Sequence, residues 1–501
     1  MDFLGLALAY ADVRLMSSYS DGDLASNDLT SRFSRRVGLK LPIVSAPMDT
    51  VTESKMAIAM AMAGCLGIIH RNMPAEQQVT EVKRTKFFLH AQIEKPIFVF
   101  GDQKINSIEN YRREKGFDFH SFPVIDRETG RLIGILTRND FDFCQDHNLC
   151  ANLVMTKEPF TAPAGTILQQ AHWLMLQHKK KVLPLVKPDG SLDGMYVFSD
   201  VERIVTGSHA SYNIDEAGHL RVGAAIGADM KTIEPICTQA LALARARVDV
   251  LVVDTSHADS PGPFEVLKRL KNHPEFSAVD IVVGNVSEGD SAKRLADLGA
   301  DGIKVGQGPG SICTTRLVTG VGCPQVTAAY NCAKAIRGSG IPICADGGIQ
   351  EPGDVSVAVG AGAESVMIGN LLARTYESAG ERIVIKDIPH KRYRGMGSIG
   401  AMLTSKASRE RYGERASTKD ELVPEGIEGA VVLKGPVAAE LHQLAEGLRR
   451  GMGMVGAKTI LELVEKADFR RMTIAGLQES KPHGMEYIQP APNYSTKEVV
   501  R

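Results

Sequence analysis

The chain has 501 residues, 44% hydrophobic and 23% charged, a globular balance that excludes disordered and fibrous classes. That length suits one large core plus a smaller domain, and a formal net charge of -1 gives no overall field to recruit nucleic acid or an anionic membrane. The opening "MDFLGLALAYADVRL" lacks a basic n-region followed by a long apolar core, no run approaches a membrane span, and the 8 cysteines show neither a CxxC pair nor zinc spacing. Reduced thiols in a cytoplasmic protein are the expectation.

In chain order, "LPIVSAPMDT" (41–50) and "CLGIIH" (65–70) are the first of a series of short runs rich in Val and Ile without period-two alternation. Strands buried on both faces read this way. The series then breaks until residue 221. Within the gap, "FPVIDRETGRLIGILTRNDF" (122–141) and "LPLVKPDGSLDGMYVFSDV" (183–201) share one arrangement of strand, turn, strand and an Asp opening a helix. Such a duplication implies an inserted two-repeat module.

The series resumes with "RVGAAIG" (221–227), "VDVLVVDTSH" (248–257), "DIVVGNV" (280–286), "DGIKVGQG" (301–308), "IPICADGG" (341–348) and "ESVMIGN" (364–370). Amphipathic stretches such as "EPICTQALALARAR" (234–247) and "SAKRLADLGA" (291–300) lie between them and read as helices. The fold class expected is α/β, a (β/α)₈ barrel. Its domains are a barrel over 1–91 and 207–501, a module over 92–206, and a Gly- and Arg-rich lid over about 380–433.

In such a barrel, chemistry collects at the carboxyl ends of the strands and phosphate binds after strands seven and eight. Asp346, Gly347 and Gly348 follow the seventh run, and Gly369 and Asn370 the eighth, so their backbone amides form a phosphate cradle or simply tight turns. Cys313, in "GPGSICTTR", follows the sixth and is a nucleophile or a small packed thiol, with Thr315 placed to exchange a proton with it. Asp254 and Ser256 end the fourth run and Asn285 the fifth, where a carboxylate holds a ribose or a neighbouring loop. These residues describe a pocket for a phosphorylated nucleoside beside a second ribose-bearing ligand.

The segments "SAPMDTVTE", "GPGSICTTRLVTGVGCPQ", "ADGGI", "YRGMGSIGAM" and "VPEGIEG" resemble the signature segments of the inosine 5′-monophosphate dehydrogenase family, and the insert resembles that family's paired cystathionine-β-synthase-type (CBS) repeats. The resemblance implies oxidation of inosine monophosphate (IMP) to xanthosine monophosphate with NAD, through a thioimidate on Cys313 that an Arg-Tyr flap pair, here Arg411 and Tyr412, hydrolyses. It assigns Ser311, Asp346, Gly347, Gly348, Gly369, Asn370, Tyr393, Arg394, Gly395, Met396, Gly397 and Glu425 to the nucleotide. Asp254, Ser256, Gly306, Gln307 and Gly308 fall to NAD. It also implies potassium on the carbonyls of Gly308, Gly310 and Cys313, completed by Glu479, Ser480 and Lys481 of a neighbouring subunit, hence a homotetramer.

An octamer through the modules, and ATP or GTP bound there beside Asp140 and Asp200, are further expectations of the resemblance. Asn370 stands where the family often has serine, and Gly413 where an aromatic is usual. The alternatives are guanosine monophosphate (GMP) reductase, which uses NADPH and needs no hydrolytic water, and an inactive nucleotide sensor. Arg411, Tyr412 and "VPEGIEG" favour the dehydrogenase.

Overall fold

In the computed structural model the described residues are 5–22, 26–89, 92–93, 95–117, 119–206, 211–413, 418–484 and 491–492. Contacts divide the chain into two compact units, Met1–Phe88 with Ser211–Arg501, and Leu89–Ala210.

The first unit is built on a closed parallel barrel of eight strands: β1 (Ile43–Ser45), β2 (Leu66–Ile69), β3 (Gly223–Ile226), β4 (Val250–Asp254), β5 (Asp280–Val286), β6 (Gly302–Val305), β7 (Ile343–Asp346) and β8 (Ser365–Ile368). Each falls inside one of the eight expected runs. Neighbours pair in register around the ring, and β8 closes on β1 through Val366 opposite Ile43. The strands lack alternation because both faces are buried. Leu66, Ile68, Val250, Val252, Val282 and Met367 pack in the interior. Ile69, Leu251, Val253, Ile281 and Ile303 face the surrounding helices, among them Ile233–Arg245, Gly289–Asp297 and Pro352–Gly360.

Beyond β8 a three-stranded antiparallel ribbon forms, β9 (Arg382–Ile385), β10 (Ile388–Arg394) and β11 (Glu428–Val432). Between β10 and β11 lie two short helices, Ile399–Thr404 and Lys406–Arg411. The second carries the Arg-Tyr pair at its end, and Ser405 starts it by accepting from the Ala407 amide.

The second unit holds two four-stranded sheets. One joins Thr156–Lys157, Leu132–Leu136, Phe122–Ile125 and Val99–Phe100 in that order; the other joins Ala162–Pro163, Val182–Val186, Leu192–Val197 and Gln92–Ile93. Each has its own core, centred on Phe122 and Ile105 in one and on Leu183 and Leu185 in the other. Both duplicated segments thus form the same antiparallel pair followed by a helix, Arg138–Asp142 or Phe198–Val205. Asp140 is engaged as a helix cap, its Oδ2 accepting from the Thr137 amide at 2.6 Å and hydroxyl at 2.8 Å.

Candidate active site

The barrel's carboxyl face holds a cavity of about 130 Å³, lined by Met48, Ser256, Asn285, Lys304, Gly306 to Gly310, Cys313, Thr315, Asp346, Gly347, Tyr393, Gly395, Met396, Arg411, Tyr412 and Glu425 among others. Residues separated by hundreds of positions meet there because each ends a strand or sits in the loop that follows one.

Cys313 is half-buried, and its thiol donates to Thr315 Oγ1 at 3.1 Å. Arg316 ties the loop that carries it, with Nε donating to the Gln307 carbonyl at 2.9 Å and Nη2 to the Cys323 carbonyl. Gly308, at φ +79, gives that side chain its path, since a Cβ there would lie 2.6 Å from Arg316 Cγ. The loop's far side is stitched to the segment before β11: Thr314 N–H donates to the Glu425 carbonyl at 3.0 Å and Ile427 N–H to the Ile312 carbonyl at 2.9 Å. Glu425 is thereby held at the same cavity as the thiol. The other thiols near this face differ. Burial pushes Cys332 and Cys344 up to about 12 and also raises Cys323, so they stay protonated and inert at neutral pH.

At the end of β7, Asp346 Oδ2 accepts from Asn285 Nδ2 at 2.9 Å and Lys304 Nζ at 2.6 Å. Gly347 and Gly348 both have left-handed φ, +89 and +85, which an L side chain rarely adopts. The expected cradle needs one correction. The Gly347 amide already donates to the Met367 carbonyl at 3.1 Å, so it is not available to a phosphate. Gly369 lies beside the cavity, where a Cβ would meet Tyr393 Oη and Met48 Sδ at 3.1 Å. Burial, partly offset by a hydrogen bond from Ser311, pushes Tyr393 up to about 12, so its phenol is a neutral donor. Asn370 Oδ1 accepts from Arg374 Nη2 at 2.6 Å. Arg394 also departs from expectation: its guanidinium pairs with Asp49 at 2.6 Å, and Asn72 Nδ2 donates to the same carboxylate at 2.6 Å.

The flap is docked. Arg411 forms an ion pair with Asp254, and Ser256 Oγ donates to the Arg411 carbonyl at 2.9 Å. Ser408 Oγ donates to Asn72 Oδ1 at 3.1 Å, and Arg71 lies 3.7 Å from Glu410. Burial first, then the nearby Arg411 charge, lowers Arg71 to about 10. The Tyr412 ring rests on Gly397, where a Cβ would come within 2.8 Å of it. Burial raises the Tyr412 phenol above its ordinary value, opposed by Arg411. Asp254 and Ser256, both expected to hold NAD, are thus the residues that hold Arg411. Asp254 Oδ1 is buried 2.9 Å from the Lys304 ammonium without an aligned hydrogen bond.

Glu479, Ser480 and Lys481 close the exposed helix Ile474–Glu479 and do not line this cavity. Among the described residues no His, Cys, Asp and Glu cluster could hold a metal, and no helix is long and apolar enough to cross a membrane. Lys304, Arg316 and Asp49 escaped the sequence reading. Only Lys304 carried a signal, a charge inside an otherwise apolar strand.

A family model described as "IMP dehydrogenase / GMP reductase domain" matches residues 7–483. Inosine-5′-monophosphate dehydrogenase of Halalkalibacterium halodurans is 42% identical over 97% of this chain and 98% of its own length. That of Aquifex aeolicus is 44% identical over 97% of each. Among solved structures, a cysteine-to-alanine variant of GMP reductase from Trypanosoma brucei in complex with guanosine 5′-monophosphate superimposes with a TM-score of 0.86 at 36% identity, covering 96% of this chain and 98% of that one.

Proposed function

The chain belongs to the IMP dehydrogenase / GMP reductase family, and from that premise we propose that it oxidises IMP. Water and NAD are consumed, and xanthosine 5′-monophosphate, a guanine-nucleotide precursor, leaves with NADH and a proton. The observation that carries this reading is the docked Arg411–Tyr412 pair in the same cavity as Cys313. Oxidation through a thioimidate requires an activated water, whereas reductive deamination does not.

Cys313 adds to purine C2 as its thiolate, and the Thr315 hydroxyl turns to donate to the sulfur once the proton has left. Bound NAD supplies the acceptor for the hydride that departs from C2. Asp346, with the Gly348 and Gly369 backbone and the Tyr393 and Ser311 hydroxyls, holds the nucleotide so that C2 faces the sulfur. Asp254, Ser256 and Gly306 to Gly308 hold the dinucleotide, which requires Arg411 to leave Asp254 Oδ2. When the flap redocks, the Arg411–Tyr412 pair takes a proton from water. Water oxygen bonds to C2, the C–S bond breaks, and the thiolate is restored. Glu425 assists from the facing loop.

The Gly308, Gly310 and Cys313 carbonyls are hard oxygen donors on one loop, the chemistry potassium takes, and would steady that loop with Glu479, Ser480 and Lys481 of a neighbouring copy in a homotetramer. The repeats are read as CBS repeats that bind ATP or GTP and join tetramers into octamers; calorimetry with either nucleotide tests the binding. Eight free thiols among the described residues accord with a cytoplasmic enzyme. The deciding assay follows absorbance at 340 nm: a rise with IMP and NAD supports the reading, and a fall with GMP and NADPH in its place would assign the reductase.

A further inference from the structure

Strand β6 carries Lys304 with no solvent exposure, between Ile303 and Val305, which pack outward. Asp254 of β4 and Lys304 both pair with Gly284, from opposite sides. A Cβ on Gly284 would lie 2.5 Å from Lys304 Cβ, so the missing side chain is what lets the lysine stem cross β5. Its ammonium donates to Asn285 Oδ1 and to Asp346 Oδ2, the latter at 2.6 Å, and lies 2.9 Å from Asp254 Oδ1. Asn285 Nδ2 closes the group on Asp346 Oδ2 at 2.9 Å.

We propose that Lys304 is a positioning residue that fixes the flap-facing carboxylate of Asp254 and the substrate-facing carboxylate of Asp346 on one buried charge, a role that rests on the oxidation assigned above. One ammonium against two carboxylates leaves one net negative charge at the cavity floor, and Arg411 neutralises it in the docked flap. Asp254 is held between two cations, with Oδ1 2.9 Å from the Lys304 ammonium and Oδ2 on Arg411. Removing the charge lets the buried Asp254 and the partly exposed Asp346, which share that ammonium, repel or take up a proton, and Asp254 then releases Arg411.

The test compares Lys304→Met, Lys304→Gln, Lys304→Arg, Asp254→Asn and the Lys304→Gln/Asp254→Asn pair. Hydrogen exchange of the amides of residues 405–413, which needs no turnover, should quicken about tenfold in Lys304→Gln and in Asp254→Asn while the barrel strands stay protected. Lys304→Arg should restore much of the protection. In steady state Lys304→Gln should lower kcat while the NADH burst persists, because hydrolysis needs the docked flap, and the double variant should be no worse than Asp254→Asn alone. If Lys304→Met does not fold, the Gln variant carries the same expectations. Unchanged flap exchange, strand protection lost together with the flap, or additive effects in the double variant would each overturn the role. Exchange results as expected, with no IMP oxidation by the wild type, would leave the positioning role standing and remove the proposed reaction instead.

Discussion

The two sides of the cavity are made differently. The side around Asp346, where the nucleotide is proposed to sit, consists of strand ends and the turns after them: Asp346 is fixed by two donors from strands β5 and β6, and two consecutive left-handed glycines shape the turn. The flap side is a six-residue helix held by a few reversible polar contacts, Arg411 on Asp254, Ser256 on the Arg411 carbonyl and Ser408 on Asn72. A helix that short has little stability of its own, so its docking depends on those contacts. On the proposed mechanism, groups needed throughout the reaction sit on the rigid side, and groups needed only for hydrolysis sit on the docked helix.

The sharpest way to test this division is to remove the group on which both sides act. Cys313→Ala should lower turnover by roughly 10⁴-fold or more while the thermal midpoint and IMP binding persist. Mass spectrometry of the wild type with both substrates should find the adduct on Cys313. An adduct on Cys323 would break the assignment.

Next in size, Arg411→Ala should cut the steady rate by roughly 10² to 10⁴-fold, the usual worth of general base assistance. IMP binding, which belongs to the rigid side, should stay within a few-fold of wild type.

Gly397→Ala acts on the flap through the turn that follows β10, because its new methyl meets the Tyr412 ring. A rate loss of up to about 10²-fold is expected from misplacing the docked pair, with the NADH burst retained. An unaffected variant would mean that the Tyr412 ring is not held there during turnover.

The smallest effect concerns thiol reactivity. At pH 8, iodoacetamide should modify Cys313 roughly tenfold or more faster than Cys332 or Cys344, whose thiols burial holds up to about 12, and IMP should protect only Cys313. A thiol ionises more as pH rises, and the buried Cys332 and Cys344 do so only as pH approaches about 12, so this preference should narrow toward that pH.

The same contrast explains what was legible in the sequence. All eight barrel strands could be read because strands buried on both faces leave uninterrupted apolar runs, and the positions of Cys313, Asp346 and Asp254 follow once those runs are counted. Arg411 and Tyr412 could not be read that way. Their helix is short and polar, and only the likeness of "SRERYGER" to a known family marked them. The use of the Gly347 amide by Met367, and of the Arg394 guanidinium by Asp49, was hidden because both depend on pairings across the fold rather than on local pattern. Lys304 was visible as a charge among apolar neighbours, but its meaning needed the gap at Gly284, which appears only when β5 and β6 are set in register.

The claim that hydride transfer needs only the rigid side while hydrolysis needs the docked flap is tested most directly by rapid mixing of Arg411→Ala with IMP and NAD. The account predicts a burst of NADH near one equivalent per Cys313, formed at close to the wild-type rate, followed by slow turnover as the covalent intermediate accumulates. A burst-free variant in which both steps slow equally would contradict it.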